Sequence, residues 1–120
     1  MMDDYERKFE ALRQIYINGQ NIIAVFPFRQ MLLETMTHHA DTFSAEGMLA
    51  SIDRNRGFIT TKTGGTCVYT SLVDPSALQL KVVGRHFAGA VYYGDVRPEI
   101  KDFIRTRRLS DEFLEIEIPV

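Results

Sequence analysis

The period of the apolar positions changes along the chain. Tyr5, Phe9, Leu12 and Tyr16 recur four, three and four residues apart, with Glu6, Arg7, Lys8, Glu10 and Arg13 largely between them. That spacing predicts one apolar stripe on a helix. Asp3 and Asp4 stand where an N-cap and first turn belong, and Asn18-Gly19 supplies a stop. Asn21–Phe26 is a short apolar run that reads as a strand or as a buried connector. Pro27 opens a second predicted helix whose apolar face carries Phe28, Met31, Leu32, Thr35 and Met36.

From Gly47 onward the pattern is that of β-strands. Turns are expected at Asn55-Arg56-Gly57, Gly64-Gly65 and Asp74-Pro75. Ser76 to Leu78 reads as one helical turn, and residues 81–84 and 85–93 as further β segments. Gly84, Gly89 and Gly94 would serve as bends or bulges. Pro98 followed by Ile100, Phe103 and Ile104 predicts a short helix. Residues 113–118 then read as a last strand, ended by Pro119.

A length of 120 residues favours one domain, and 45% apolar with 25% charged residues is ordinary for a soluble globular chain. No apolar run approaches the roughly 20 residues that cross a bilayer. The acidic, amphipathic start reads as neither a signal nor a transit peptide. A single Cys67 cannot form an internal disulfide, which suits a reducing compartment, so the cytoplasm or nucleus is the expected location. The net charge of −2 is unevenly spread. Residues 1–46 carry −3, residues 47–108 carry +5 and residues 109–120 carry −4. A basic middle segment raises the odds of phosphate contacts, and it reads equally as an uneven solvated surface.

Most catalytic chemistry finds no support. His38 and His39 are neighbours, so on a helix they diverge by about 100° and make a poor metal pair. Cys67 has no predicted helix N-terminus beside it and reads as a small buried thiol. Neither a GxSxG elbow nor a Walker loop is present. No catalytic residue, metal or cofactor is expected, and the chain reads as a non-enzyme. Arg105, Arg107 and Arg108, with Lys101 a turn earlier, read either as phosphate contacts or as a solvated face paired with Asp111 and Glu112.

Gly47-Met48-Leu49, Arg56-Gly57-Phe58-Ile59, Val68-Tyr69-Thr70-Ser71 and Val83-Gly84-Arg85-His86-Phe87 together resemble the strand motifs of cold-shock domains. The resemblance covers residues 46–93. It implies an α+β chain: a small OB-like (cold-shock-like) antiparallel β-barrel with two N-terminal helices. Residues 1–45 would be a helical extension packed on the barrel. Residues 46–120 would be the barrel with a C-terminal helix and strand.

The resemblance further implies weak binding of single-stranded nucleic acid, RNA more than DNA. Phe58 and Tyr69 would stack bases while Arg54, Arg56 and Lys62 hold phosphates. The other reading of the two rings is barrel core. The alternative function is a protein-interaction module or adaptor. It would work through the scaffold, the helix face of Tyr5, Phe9, Leu12 and Tyr16 (a partner or self-association surface), or the acidic last strand.

Overall fold

The computed structural model describes residues 3–71 and 75–120. The chain alternates helices and strands: α1 (Asp4–Ile17), β1 (Asn21–Phe26), α2 (Arg29–Ala45), β2 (Leu49–Asp53), β3 (Phe58–Thr61), β4 (Thr66–Ser71), α3 (Pro75–Lys81), β5 (Phe87–Tyr93), α4 (Pro98–Thr106) and β6 (Leu114–Ile118). The six strands form one open sheet in the order β2-β3-β4-β1-β5-β6. β1 runs parallel to β4 and β5, and β5 runs parallel to β6. Only β2, β3 and β4 form an antiparallel meander. The expected closed antiparallel barrel is therefore corrected to a mixed, mostly parallel α/β sheet.

The error has a physical source. The predicted hairpin turns exist: the Gly57 N–H donates to the Asp53 carbonyl (2.8 Å), and the Gly64 N–H to that of Thr61 (3.0 Å). A meander is local, however, and the same turns serve a barrel or an open sheet. The central strand is β1, from the segment expected to be an extension of a barrel. The sheet runs continuously across the boundary drawn at residue 45.

β1 is buried on both faces, as parallel strands covered by helices are. Ile22, Ala24 and Phe26 face α1 and α2, whereas Ile23 and Val25 face the core built with α3 and α4. The N-terminal helix behaves as its pattern predicts. Asp3 caps it by accepting the Glu6 N–H at 2.7 Å, and Leu12 is buried. Gly89 lets this helix lie close on β5, since a Cβ there would overlap the Leu12 side chain. The segment expected as β at residues 81–84 instead ends α3 and turns at Gly84, with Val82 buried against the sheet. The expected turn at Asp74 lies outside the described residues. No helix among the described residues is long and apolar enough to cross a membrane.

Candidate functional site

The five residues expected to hold nucleic acid do not converge. Phe58 pairs with Val68 and packs against the α3/α4 core, while Tyr69 belongs to the core beneath α1 and α2. The two rings thus occupy opposite faces of the sheet. Tyr69 is only 2% exposed, and the Arg85 guanidinium covers the Phe58 ring at 4.6 Å. The reading of both rings as core is the one the packing supports. Arg54 and Arg56 sit in the exposed β2–β3 turn, and Lys62 lies at the far end of β3. Arg56 is already engaged with Asp53, whose Oδ1 accepts the Arg56 N–H at 3.1 Å. The stacking platform is corrected on these grounds, and the RNA-binding role drawn from it is left without support.

Other predicted surfaces are largely used within the fold. Of the α1 stripe, Leu12 is buried, Phe9 and Tyr16 pack on the core, and Tyr5 stays exposed. On β6, Glu115 accepts the Arg105 Nε–H (3.0 Å) and the Tyr92 hydroxyl (2.6 Å), and Glu117 pairs with Lys101. Arg107 lies over Phe103, and Arg108 approaches Asp111 at 3.8 Å, so the arginine cluster is a paired, solvated face.

Ligands of open α/β sheets usually bind at the carboxyl ends of the strands, where the direction of strand connection reverses. That point lies between β1, whose crossover returns at β4, and β5, whose crossover leads to β6. Nucleotide phosphates there rest on the backbone N–H groups of a glycine-rich strand-to-helix turn. The β1–α2 turn is Pro27-Phe28, and Pro27 has no N–H to offer. Leu72-Val73-Asp74 after β4 contains no glycine. After β5, the Gly94 N–H donates to the Ile118 carbonyl (2.8 Å), and Asp95 adds a repelling carboxylate. The two described turns, after β1 and β5, thus lack the glycine-rich cradle of free N–H groups.

The best-formed cavity lies elsewhere, between α1, α2 and the sheet, and measures about 300 Å³. Two small residues, Ala24 and Cys67, lie in its floor. Ile22 stands between Cys67 and Gly89, and Ala24 between Tyr69 and Val91. α1 covers β1, β5 and β6, while α2 covers β1 to β4, leaving the gap between them. Leu12, Tyr16 and Phe43 form the walls, and Arg13, His38 and Thr42 form the rim. Arg13 ties α1 to the end of α2 through Glu46 at 2.6 Å.

Five buried or half-buried titratable groups facing this cavity, on His39, Cys67, Tyr16, Tyr69 and Tyr93, are shifted toward their neutral forms. His39 Nδ1 lies 2.7 Å from the Tyr69 hydroxyl. Burial, helped by the charge of His38, pushes the His39 pKa down to about 4. Burial also pushes the Cys67 thiol and the Tyr93 hydroxyl up to about 12, and raises Tyr16 and Tyr69. The described residues contain no group of three or more His, Cys, Asp or Glu able to hold a metal. Sequence reasoning weighed His38 and His39 only as a metal pair. The usable signal was the stripe Leu32, Met36, His39 and Phe43, whose spacing places one histidine on the inward face of α2.

No protein-family model matches the chain, and no curated protein does. Among solved structures, the large terminase from the thermophilic bacteriophage D6E has a similar fold, with a TM-score of 0.69 at 15% identity. That match covers 96% of this chain and 30% of the terminase. A second crystal form, in complex with ADP, gives a TM-score of 0.62 at 16% identity over 93% of this chain and 29% of that one. This chain therefore spans under a third of the terminase, and identity at this level establishes a shared fold alone.

Proposed function

We propose that the chain is a small-ligand-binding domain on a terminase-like α/β frame. It works as a non-enzyme and takes its ligand between α1 and α2 rather than at the strand ends. One observation carries this reading: a cavity of about 300 Å³, mostly apolar, with a few converging polar groups of shifted pKa. Apolar enclosure with a few polar groups is the usual make-up of small-molecule sites, and the volume reaches the lower end of their range. At about 30 Å³ per water-sized group, it admits a ligand of roughly ten non-hydrogen atoms or somewhat more. The terminase complex raises nucleotide as the competing ligand, and Pro27-Phe28 argues against it here.

Isothermal titration calorimetry reads the binding of a naphthyl probe directly, in wild type and variants alike. Saturable binding of 2-acetonaphthone is expected, with no thermal shift from magnesium-ADP. Ala24→Leu raises the floor, and Thr42→Trp, at an exposed rim position, narrows the mouth. Both changes should weaken binding. An unchanged affinity in both variants, or saturable ADP binding in place of the probe, would sink the proposal.

A second reading, a protein-interaction module, has its own observation. Leu80 and Val83 are 80% and 61% exposed beside Arg56, Lys81 and Arg85 in a shallow groove. The charge favours an acidic partner segment. Replacing Arg56 and Arg85 by Glu should abolish the binding of an acidic, leucine-containing peptide if this reading holds, and wild-type protein that ignores such a peptide would rule it out.

A further inference from the structure

We infer, resting on the cavity reading above, that the ligand is an uncharged molecule whose carbonyl or ether oxygen accepts a hydrogen bond from His39 Nε2–H. The argument starts from the buried Tyr69, 2% exposed, whose hydroxyl lies 2.7 Å from His39 Nδ1. Two proton arrangements are open to this pair. If Nδ1–H donated to the tyrosine oxygen, the hydroxyl hydrogen would find no acceptor among the described residues. If the tyrosine donates to Nδ1, both groups are satisfied. A neutral imidazole that accepts at Nδ1 carries its proton on Nε2, and the ring lines the cavity. Nε2–H is therefore a donor with fixed direction and no partner among the described residues.

The rest of the wall excludes charge. Leu12, Ile22, Ala24, Phe43 and Val91 are apolar, and Cys67, Tyr16 and Tyr93 are held protonated. Arg13, on the rim, is already paired with Glu46 at 2.6 Å and Glu10 at 3.6 Å. A carboxylate ligand would have to break that pairing or lie unpaired among apolar groups. An ammonium ligand would meet no lining acid. A neutral acceptor-bearing molecule meets none of these costs.

Three probes of equal heavy-atom number separate the possibilities: 2-acetonaphthone, 2-isopropylnaphthalene and 2-naphthoate. The ratio of ketone to hydrocarbon affinity should fall about three- to tenfold in His39→Leu, as expected for one lost hydrogen bond. Naphthoate should bind weakest. Nitrogen-15 NMR of the ligand-free protein reads the tautomer independently, and the proton should sit on Nε2. A proton on Nδ1, an unchanged ratio in His39→Leu, or tightest binding by naphthoate would overturn the inference while leaving the cavity reading intact. Failure of all three probes to bind would overturn both.

Discussion

His39 makes stability depend on pH in a way that can be worked from the structure. Its pKa is about 4 in the folded chain, against 6.5 for an ordinary histidine. Burial is the main cause, and the charge of His38 adds to it. Between these values the unfolded chain binds a proton that the folded chain refuses, so stability falls as pH drops from 6.5 toward 4. Integrated from about pH 7.5 down to about pH 4.5, the loss comes to about 2–3 kcal/mol. The ring is not fully buried, which favours the lower end. Other groups titrate over the same range, so the quantity to follow is the difference between wild type and His39→Gln. Gln is polar and uncharged at every pH, and it retains a group able to face Tyr69. Urea denaturation at several pH values supplies the free energies, and the wild type should lose about 1–2 M more of its midpoint than the variant on acidification. Parallel pH profiles for the two proteins would refute the claim that His39 is buried neutral, and with it the chemistry assigned to the cavity.

Four further outcomes follow from single features. Tyr69→Phe removes the hydroxyl that meets His39 Nδ1 and should cost about 1 kcal/mol, read from the urea midpoint. Leu12→Ala deletes the α1 residue that meets Gly89, and should cost about 2–4 kcal/mol by the same measurement. Gly57 has φ +79°, and a Cβ there would overlap the Tyr69 carbonyl, so Gly57→Ala should destabilise by at least about 1 kcal/mol. Cys67 is buried and its thiol is pushed up to about 12, so a disulfide-exchange reagent should label it only after unfolding in urea.

Local signals carried much of the secondary structure and little of the topology. The α1 stripe, the turns at residues 55–57 and 64–65, the helix opened by Pro98 and the last strand all rest on neighbours a few residues apart. Asn21–Phe26 stayed ambiguous because a strand buried on both faces lacks alternation, which is also what a parallel strand looks like. Its partners Cys67–Ser71 and Phe87–Tyr92 lie more than 40 residues away, beyond any periodicity. Val82-Val83 read as β by preference for branched residues, yet Val82 is buried just beyond the end of α3. Phe58 and Tyr69 were placed on one platform because each opens or fills a strand motif. Register decides the face: Phe58 pairs with Val68, one position out of phase with Tyr69. The cavity was beyond reach for a related reason, since its floor depends on Ala24 sharing one face of the sheet with Cys67.

The position of the cavity follows from what the strand ends hold. In a doubly covered parallel sheet the turns after β1 and β5 are where a phosphate-bearing ligand would meet backbone N–H groups. Here Pro27 removes one such donor, and Asp95 places negative charge at the neighbouring turn. Apart from β1, the two helices beside the cavity rest on different strands. α1 rests on β5 through Gly89, and α2 rests on β4 through the Tyr69–His39 pair. Neither contact closes the sheet face over Ala24. Larger residues at Ala24 or Cys67 would fill that face and bring further apolar contact to both helices. Ala24→Leu, which should weaken ligand binding, should therefore stabilise the fold if the added side chain finds an unstrained rotamer. A gain in stability with a loss of probe binding in Ala24→Leu would mark the cavity as space kept open at the expense of packing. A loss of both would instead show that the floor is already filled to its limit.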